Sequence, residues 1–229
     1  MGCVACMGSM AGWTDRKGGM DMKLDFSGLP GFEQAAGWMN DVLKGDAGSY
    51  SLILDWAYKM AANADLPGLD SADELAREYL AKSGTLAERT DKLIKDYQFK
   101  TGLMGAATGV GGMMTLPINL VSSTLLQMRM AAAIALMGGW RLEDEKVKKA
   151  LILCALGSKV MNKLTATVLE KAMQKAAVKL TGKVLGKSLP LMGAVLSGAI
   201  DATATKTIGK AAKQWFITDV PEVLNVTVE

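Results

Sequence analysis

From Phe32 onward apolar side chains return every three to four residues, and strict alternation is rare. That period predicts helices, not strands. Two amphipathic helices are expected at Phe32–Leu43 and Tyr50–Ala64, each carrying a tryptophan, Trp38 and Trp56. Leu66-Pro67-Gly68 breaks the chain. Ser71-Ala72-Asp73-Glu74 and Thr85-Leu86-Ala87-Glu88 each have the spacing of a capping box, in which a hydroxyl and a glutamate satisfy each other's orphaned backbone donors. The first box opens a helix to about Lys82, and both helices are polar enough to lie on the surface. Residues 1–30, rich in Gly and Met, have no stable period and read as a flexible leader; residues 31–217 read as a single helical domain and 218–229 as an extended acidic tail.

The pattern changes at Thr101. Residues 101–128 carry no charge in 28 positions and include Gly102, Gly105, Gly109, Gly111 and Gly112, with a break at Pro117. After Arg129 the chain is again uncharged to Trp140. A second oily run, Leu142–Gly157, opens on Glu143, Asp144 and Glu145, three carboxylates suited to the positive end of a helix. A third, Pro190–Ile200, contains Gly193 and Gly198 and ends at Asp201, after which a short helix should reach Phe216. The expected class is all-α: a compact multi-helix domain with Gly-rich apolar central and C-terminal hairpins.

The net charge of +3 conceals an asymmetry. Residues 158–214 hold 10 Lys against only Glu170 and Asp201, while the preceding chain is slightly acidic. Lys159, Lys163, Lys171, Lys175, Lys179, Lys183 and Lys187 recur every fourth residue, with Thr167 in the missing slot and Leu164, Val168, Leu169, Met173, Val178, Leu180 and Val184 between them. Four-residue spacing drifts about 40° per step on a helix, so this block predicts a basic stripe beside an apolar one. Such a stripe suits an anionic membrane surface. Nucleic acid is disfavoured, because the block has neither Arg forks nor interleaved aromatics.

Composition narrows the chemistry. The chain has no histidine, which removes the usual general base and the commonest metal ligand. No catalytic residue, cofactor or metal site is expected. Cys3, Cys6 and Cys154 are too few for a disulfide framework, and Cys154 reads as a small core residue. Cys3 to Cys6 spells CxxC without a strand-to-helix context, and Met1-Gly2-Cys3 resembles an acylation start but has Cys6 where Ser or Thr is preferred. No basic region precedes the run from Gly2 to Trp13, so it does not read as a secretory signal. Thr181–Ser188 approaches a phosphate loop, but Thr181 replaces its first glycine and Leu189-Pro190 follows. Gly109–Met114 approaches a dinucleotide loop, with Met114 in place of the last glycine.

Pro117–Gly138 would be about 33 Å long as a helix, enough to cross a bilayer. It is open to two placements, a buried hairpin or a membrane span. Either way Arg129 needs a partner, since an unpaired interior charge is very costly, and Asp201 is the candidate for a buried ion pair. Gly105, Gly109, Gly193 and Gly198 are expected to let helices approach closely, within the fold or between copies.

Gly102–Gly112 followed by Leu116-Pro117-Ile118, Gln127-Met128-Arg129 and Ala131–Ile134 resembles the EcsC family. So do Gly139 to Gly157, Pro190-Leu191-Met192-Gly193-Ala194, Gly198-Ala199-Ile200-Asp201-Ala202, and Ile208-Gly209 with Ala212 and Phe216. The similarity covers roughly residues 85–217. It implies an α-helical, membrane-associated, transporter-associated protein and offers no catalytic motif to carry over.

The expected function is non-enzymatic. The protein would bind anionic lipid through Lys163, Lys171, Lys175, Lys179, Lys183 and Lys187, on the cytoplasmic side of a membrane, peripheral or partly inserted. It would assemble with itself through its Gly-rich segments, and a membrane-protein partner is possible. Two rivals belong to other classes: an enzyme acting on a lipid-like substrate through Asp201, Arg129 and Asn119, and a soluble scaffold whose basic helix binds an acidic protein.

Overall fold

The computed structural model describes residues 26, 28–46, 48–62, 70–109, 115–156 and 190–218. Among these the chain forms seven α-helices and no strand, as the 3.6-residue period requires. They are α1 (Phe32–Leu43), α2 (Gly48–Ala62), α3 (Ala72–Leu80), α4 (Leu86–Gly109), α5 (Leu116–Met137), α6 (Glu145–Ala155) and α7 (Pro190–Lys213). A single π-helical turn, Gln214–Thr218, closes the described chain.

Local chemistry sets the boundaries. The Ser71 hydroxyl accepts from the Glu74 amide at 3.0 Å, and Glu74 accepts from the Ser71 amide at 2.8 Å, completing the first capping box. Thr85 and Glu88 build the second in the same way, at 3.3 and 2.8 Å. Of the three carboxylates before α6, Asp144 is the cap, accepting from the Lys146 amide at 2.8 Å. Gly31 takes a left-handed φ of 73° ahead of α1, a conformation that suits a residue without Cβ.

α5 is the axis of the fold. It packs against each of the other six helices. All of its residues are buried except Ile118 and Leu136. A helix apolar on every side is what a core position of this kind selects. Its length and composition would allow a membrane span, but its surface is covered by protein and Arg129 on it is only 1% exposed. In this structure α5 is enclosed by the other helices.

α4 and α7, each 24 residues long, lie antiparallel along one side of α5. Asp91 meets Lys213, Ile94 meets Gly209, Thr101 meets Thr205, and Gly102 meets Ala202 and Gly198. The backbones approach so closely that a Cβ on Gly198 would stand 2.5 Å from the Gly102 carbonyl oxygen. Small residues permit such contact because dispersion and backbone packing replace side-chain interdigitation.

Several expectations shift. The helix opened by Thr85, whose end the sequence left open, runs through the change of character at Thr101 to Gly109. α3 and α4 are not simply surface helices: Leu75, Ala76 and Tyr79 of α3 and Leu93, Ile94 and Tyr97 of α4 are in the core. The third apolar run and the expected short C-terminal helix form one continuous element, α7. The last residues of the expected leader pack on the bundle. Phe26 and Leu29 are buried, Phe26 stacks on Phe32 with ring centroids 6.1 Å apart, and Trp56 Nε1 donates to the Pro30 carbonyl at 2.9 Å. Periodicity did not reveal these contacts, because two apolar residues in a glycine-rich turn carry no period. Residues 1–25, 157–189 and 219–229, with Cys3, Cys6 and the lysine block, lie outside the described residues.

Candidate membrane-facing end and interior polar seam

The antiparallel pairing of α4 and α7 places two distant uncharged stretches at the same end of the bundle. Residues 101–109 of α4 and 190–200 of α7 meet through Gly102, Ala106 and Gly198. The first turns of α5 join them, since Asn119 reaches Asp201. No charged side chain occurs in these three stretches. At their surface α4 exposes Leu103 (36%) and Ala107, and α5 exposes Ile118 (46%), while Phe99 (59%) stands exposed just before the α4 stretch, beyond Lys100. Phe99, Leu103 and Ala107 follow at intervals of four residues and so form one stripe.

Charge resumes just behind this end. Lys92 and Lys95 on α4 and Lys206 and Lys210 on α7 are exposed and make no ion pair among the described residues. In the antiparallel register set by Ile94 with Gly209, the four spread over about 8 Å along the pair, with Lys206 nearly level with Phe99. Neighbouring acids are already engaged: Asp91 accepts from Lys213 at 2.7 Å, and Asp96 from the Tyr79 hydroxyl at 2.5 Å.

Inside, a polar seam runs between α4, α5 and α7. Asn119 Nδ2 donates to Asp201 Oδ2 at 2.9 Å, with both residues buried. One to two turns along, Gln127 Nε2 donates to Thr205 Oγ1 at 3.1 Å, and the Thr101 and Thr205 hydroxyl oxygens are 2.7 Å apart. Thr205 also reaches back to the Asp201 carbonyl at 2.8 Å. Asn119, Ser123 and Gln127 recur every four residues, so one face of α5 supplies the seam. The Ser123 hydroxyl is buried and has no hydrogen-bond partner among the described residues.

The expected ion pair of Arg129 with Asp201 is replaced by a different arrangement. Asp201 faces Asn119, ten residues before Arg129 on α5 and hence about 15 Å away along the axis. Burial pulls the Arg129 pKa down, and Tyr97 of α4 with the Asp70 and Glu74 carboxylates around the start of α3 act in the opposite direction. Sequence proximity to an apolar boundary suggested Asp201; the actual register of α5 against α7 could not be read from it. The same offset divides the rival catalytic trio, since Asp201 meets Asn119 but not Arg129.

The four glycines also resolve differently. Gly198 is buried against Gly102 and Ala106, and Gly105 is buried, so both are packed within the chain. Gly109 ends α4 and Gly193 lies in the first turn of α7. Sequence reasoning missed Gly102 as the partner of Gly198, and Thr101, Gln127 and Thr205 as seam members. The signal available was their polar character inside apolar helices at four-residue spacing. Lys163, Lys171, Lys175, Lys179, Lys183 and Lys187 lie outside the described residues. Cys154 is buried, as its apolar run implied, and burial pushes its thiol up to about 12. Among the described residues no three His, Cys, Asp or Glu side chains gather as a metal site would need. No family model, curated protein or solved structure matches this chain.

Proposed function

We propose that the protein is a peripheral, non-enzymatic membrane-associated helical bundle that docks on anionic lipid. The observation that carries this reading is the meeting of two uncharged stretches, far apart in sequence, at one end of the bundle, the second of them following the lysine-rich segment in the sequence. Lys187 precedes Pro190, the first residue of α7, by three positions. Each lysine near an anionic bilayer contributes about 1 kcal/mol, so the stripe from Lys163 to Lys187 supplies attraction while the uncharged end contributes apolar area. The EcsC resemblance agrees with this reading.

The buried placement of α5 supports docking rather than spanning. The test is flotation of the full chain with neutral and anionic vesicles in low and high salt, followed by a carbonate wash. Binding is expected only to anionic vesicles, reversed by salt and extracted by carbonate. Carbonate-resistant binding would mean that α5 leaves its protein surroundings. Failure to float would end the membrane reading and favour an acidic protein as the partner of the lysine block.

A further inference from the structure

We infer that the polar seam binds a small monovalent cation, of sodium's size, between Asn119, Ser123 and Asp201. The site lies inside the bundle and is independent of how the protein meets a membrane.

Two buried oxygens on one face of α5 call for a ligand. Asn119 is 2% exposed and Ser123 4%, and neither Asn119 Oδ1 nor Ser123 Oγ has a hydrogen-bond partner among the described residues. Orphaned polar atoms at such depth are rare, and a bound water or ion is a physical reason for them. The orientation of the Asn119 amide is forced. Its Nδ2 donates to Asp201 Oδ2 at 2.9 Å, and the reversed amide would set acceptor against acceptor. Oδ1, which can only accept, is therefore held beside the carboxylate. Ser123 follows one turn along α5, about 6 Å away, between the Asn119–Asp201 and Gln127–Thr205 contacts. Side chains four apart on a helix are neighbours, so one bound atom can touch both oxygens. The Thr205 hydroxyl is already engaged, accepting from Gln127 and donating to the Asp201 carbonyl.

The donor set selects the ligand. An amide carbonyl, a hydroxyl and a carboxylate are all oxygen donors, which suit hard cations rather than soft ones. Within residues 101–109, 116–128 and 190–205 Asp201 is the only charged residue, and it contributes its charge whatever else it contacts. One carboxylate offsets one positive charge, whereas a divalent ion would leave an excess that is costly to bury. The helices are tight at this level. Gly198, one turn before Asp201, has no room for a Cβ beside Gly102, which favours a small ion over a large one.

The test is thermal unfolding of the full chain in sodium, potassium and choline chloride at one ionic strength. A ligand that binds only the folded state raises Tm with its concentration. At ten times its dissociation constant the gain is about 3–6 °C for a chain of this size. Sodium should give this gain over choline, and potassium a smaller one. In choline Ser123→Ala should be as stable as the unaltered chain or slightly more so, because its hydroxyl has no protein partner there. In sodium it should lose most of the gain. Asp201→Asn, less stable in every salt, should lose all of it; should that variant not fold, Ser123→Ala alone decides. Thr203→Ala, on the exposed side of α7, should keep the full gain. Broadening of the sodium NMR line by the unaltered chain, but not by Ser123→Ala, reports the same binding directly. Equal Tm in all three salts would show that the two oxygens hold nothing beyond water and would overturn the site. A sodium gain that survives Ser123→Ala would place the ion elsewhere and overturn it as well.

Discussion

Gly198→Ala adds one methyl group at the tightest point between α4 and α7. The new Cβ would lie 2.5 Å from the Gly102 carbonyl oxygen and 3.3 Å from the Ala106 Cβ. The first contact is with backbone, so no rotamer change relieves it. The helices must part by about 0.9 Å to restore an ordinary separation of 3.4 Å. Both are 24 residues long and packed against α5, so the displacement spreads into the seam and loosens the contacts of Thr101, Gln127 and Thr205. Overpacking of this kind costs about 1–3 kcal/mol. Alanine's higher helix propensity returns about 0.8–1.0 kcal/mol, leaving a net loss of up to about 2 kcal/mol. For a chain this long that is a fall in Tm of up to about 8 °C. Gly37→Ala is the control. Gly37 lies exposed within α1, and nothing stands within 4 Å of the point its new methyl group would occupy, so the same substitution should stabilise by about 0.4–1 kcal/mol. Urea unfolding followed by circular dichroism measures both. Gly102→Ala, whose Cβ would meet Ala202 at 3.2 Å, should add little once Gly198→Ala has already separated the helices. If Gly198→Ala proves as stabilising as Gly37→Ala, the close approach of α4 and α7 is not real.

The polar seam separates paired from unpaired groups. Asp201→Ala leaves the buried Asn119 amide without its acceptor and should lower stability by about 1–3 kcal/mol, whereas Ser123→Ala removes a hydroxyl with no partner among the described residues and should be neutral or slightly stabilising. Ser71→Ala removes the side-chain half of the first capping box and should cost about 1 kcal/mol in a denaturant melt. Burial raises both Cys154 and Tyr50 to about 12, so the unfolded chain loses these protons first. Their contribution is complete below about pH 8.5 and should decline as pH rises towards 12, and Cys154→Ala should flatten the early part of that decline in a pH series of urea melts. In the native protein Cys154 should resist thiol reagents at pH 8 and react only on unfolding; rapid labelling under native conditions would contradict its burial.

Much of the architecture was legible in the sequence because its signals are local. Period, capping boxes and breaks located α1 to α3 and α6 to within a few residues, and Ser71, Glu74 and Asp144 do what their spacing implies. The length and composition of α5 were equally plain, but not its surroundings. A buried core helix and a membrane span share one hydropathy profile, and the packing of α5 against six neighbours was not legible from it. Long-range pairing was the least accessible. Whether Asp201 meets Asn119 or Arg129 depends on the axial register of α7 against α5, a displacement of about 15 Å that no local pattern encodes. Likewise the sequence determined that two stretches would lack charge and that lysines would recur, but tertiary structure decided that these stretches meet. Antiparallel packing through Gly102 and Gly198 brings residues about a hundred positions apart to one end, with Leu103 and Ile118 exposed there. A side chain's type follows from sequence alone, whereas its neighbours follow from how whole helices fit together.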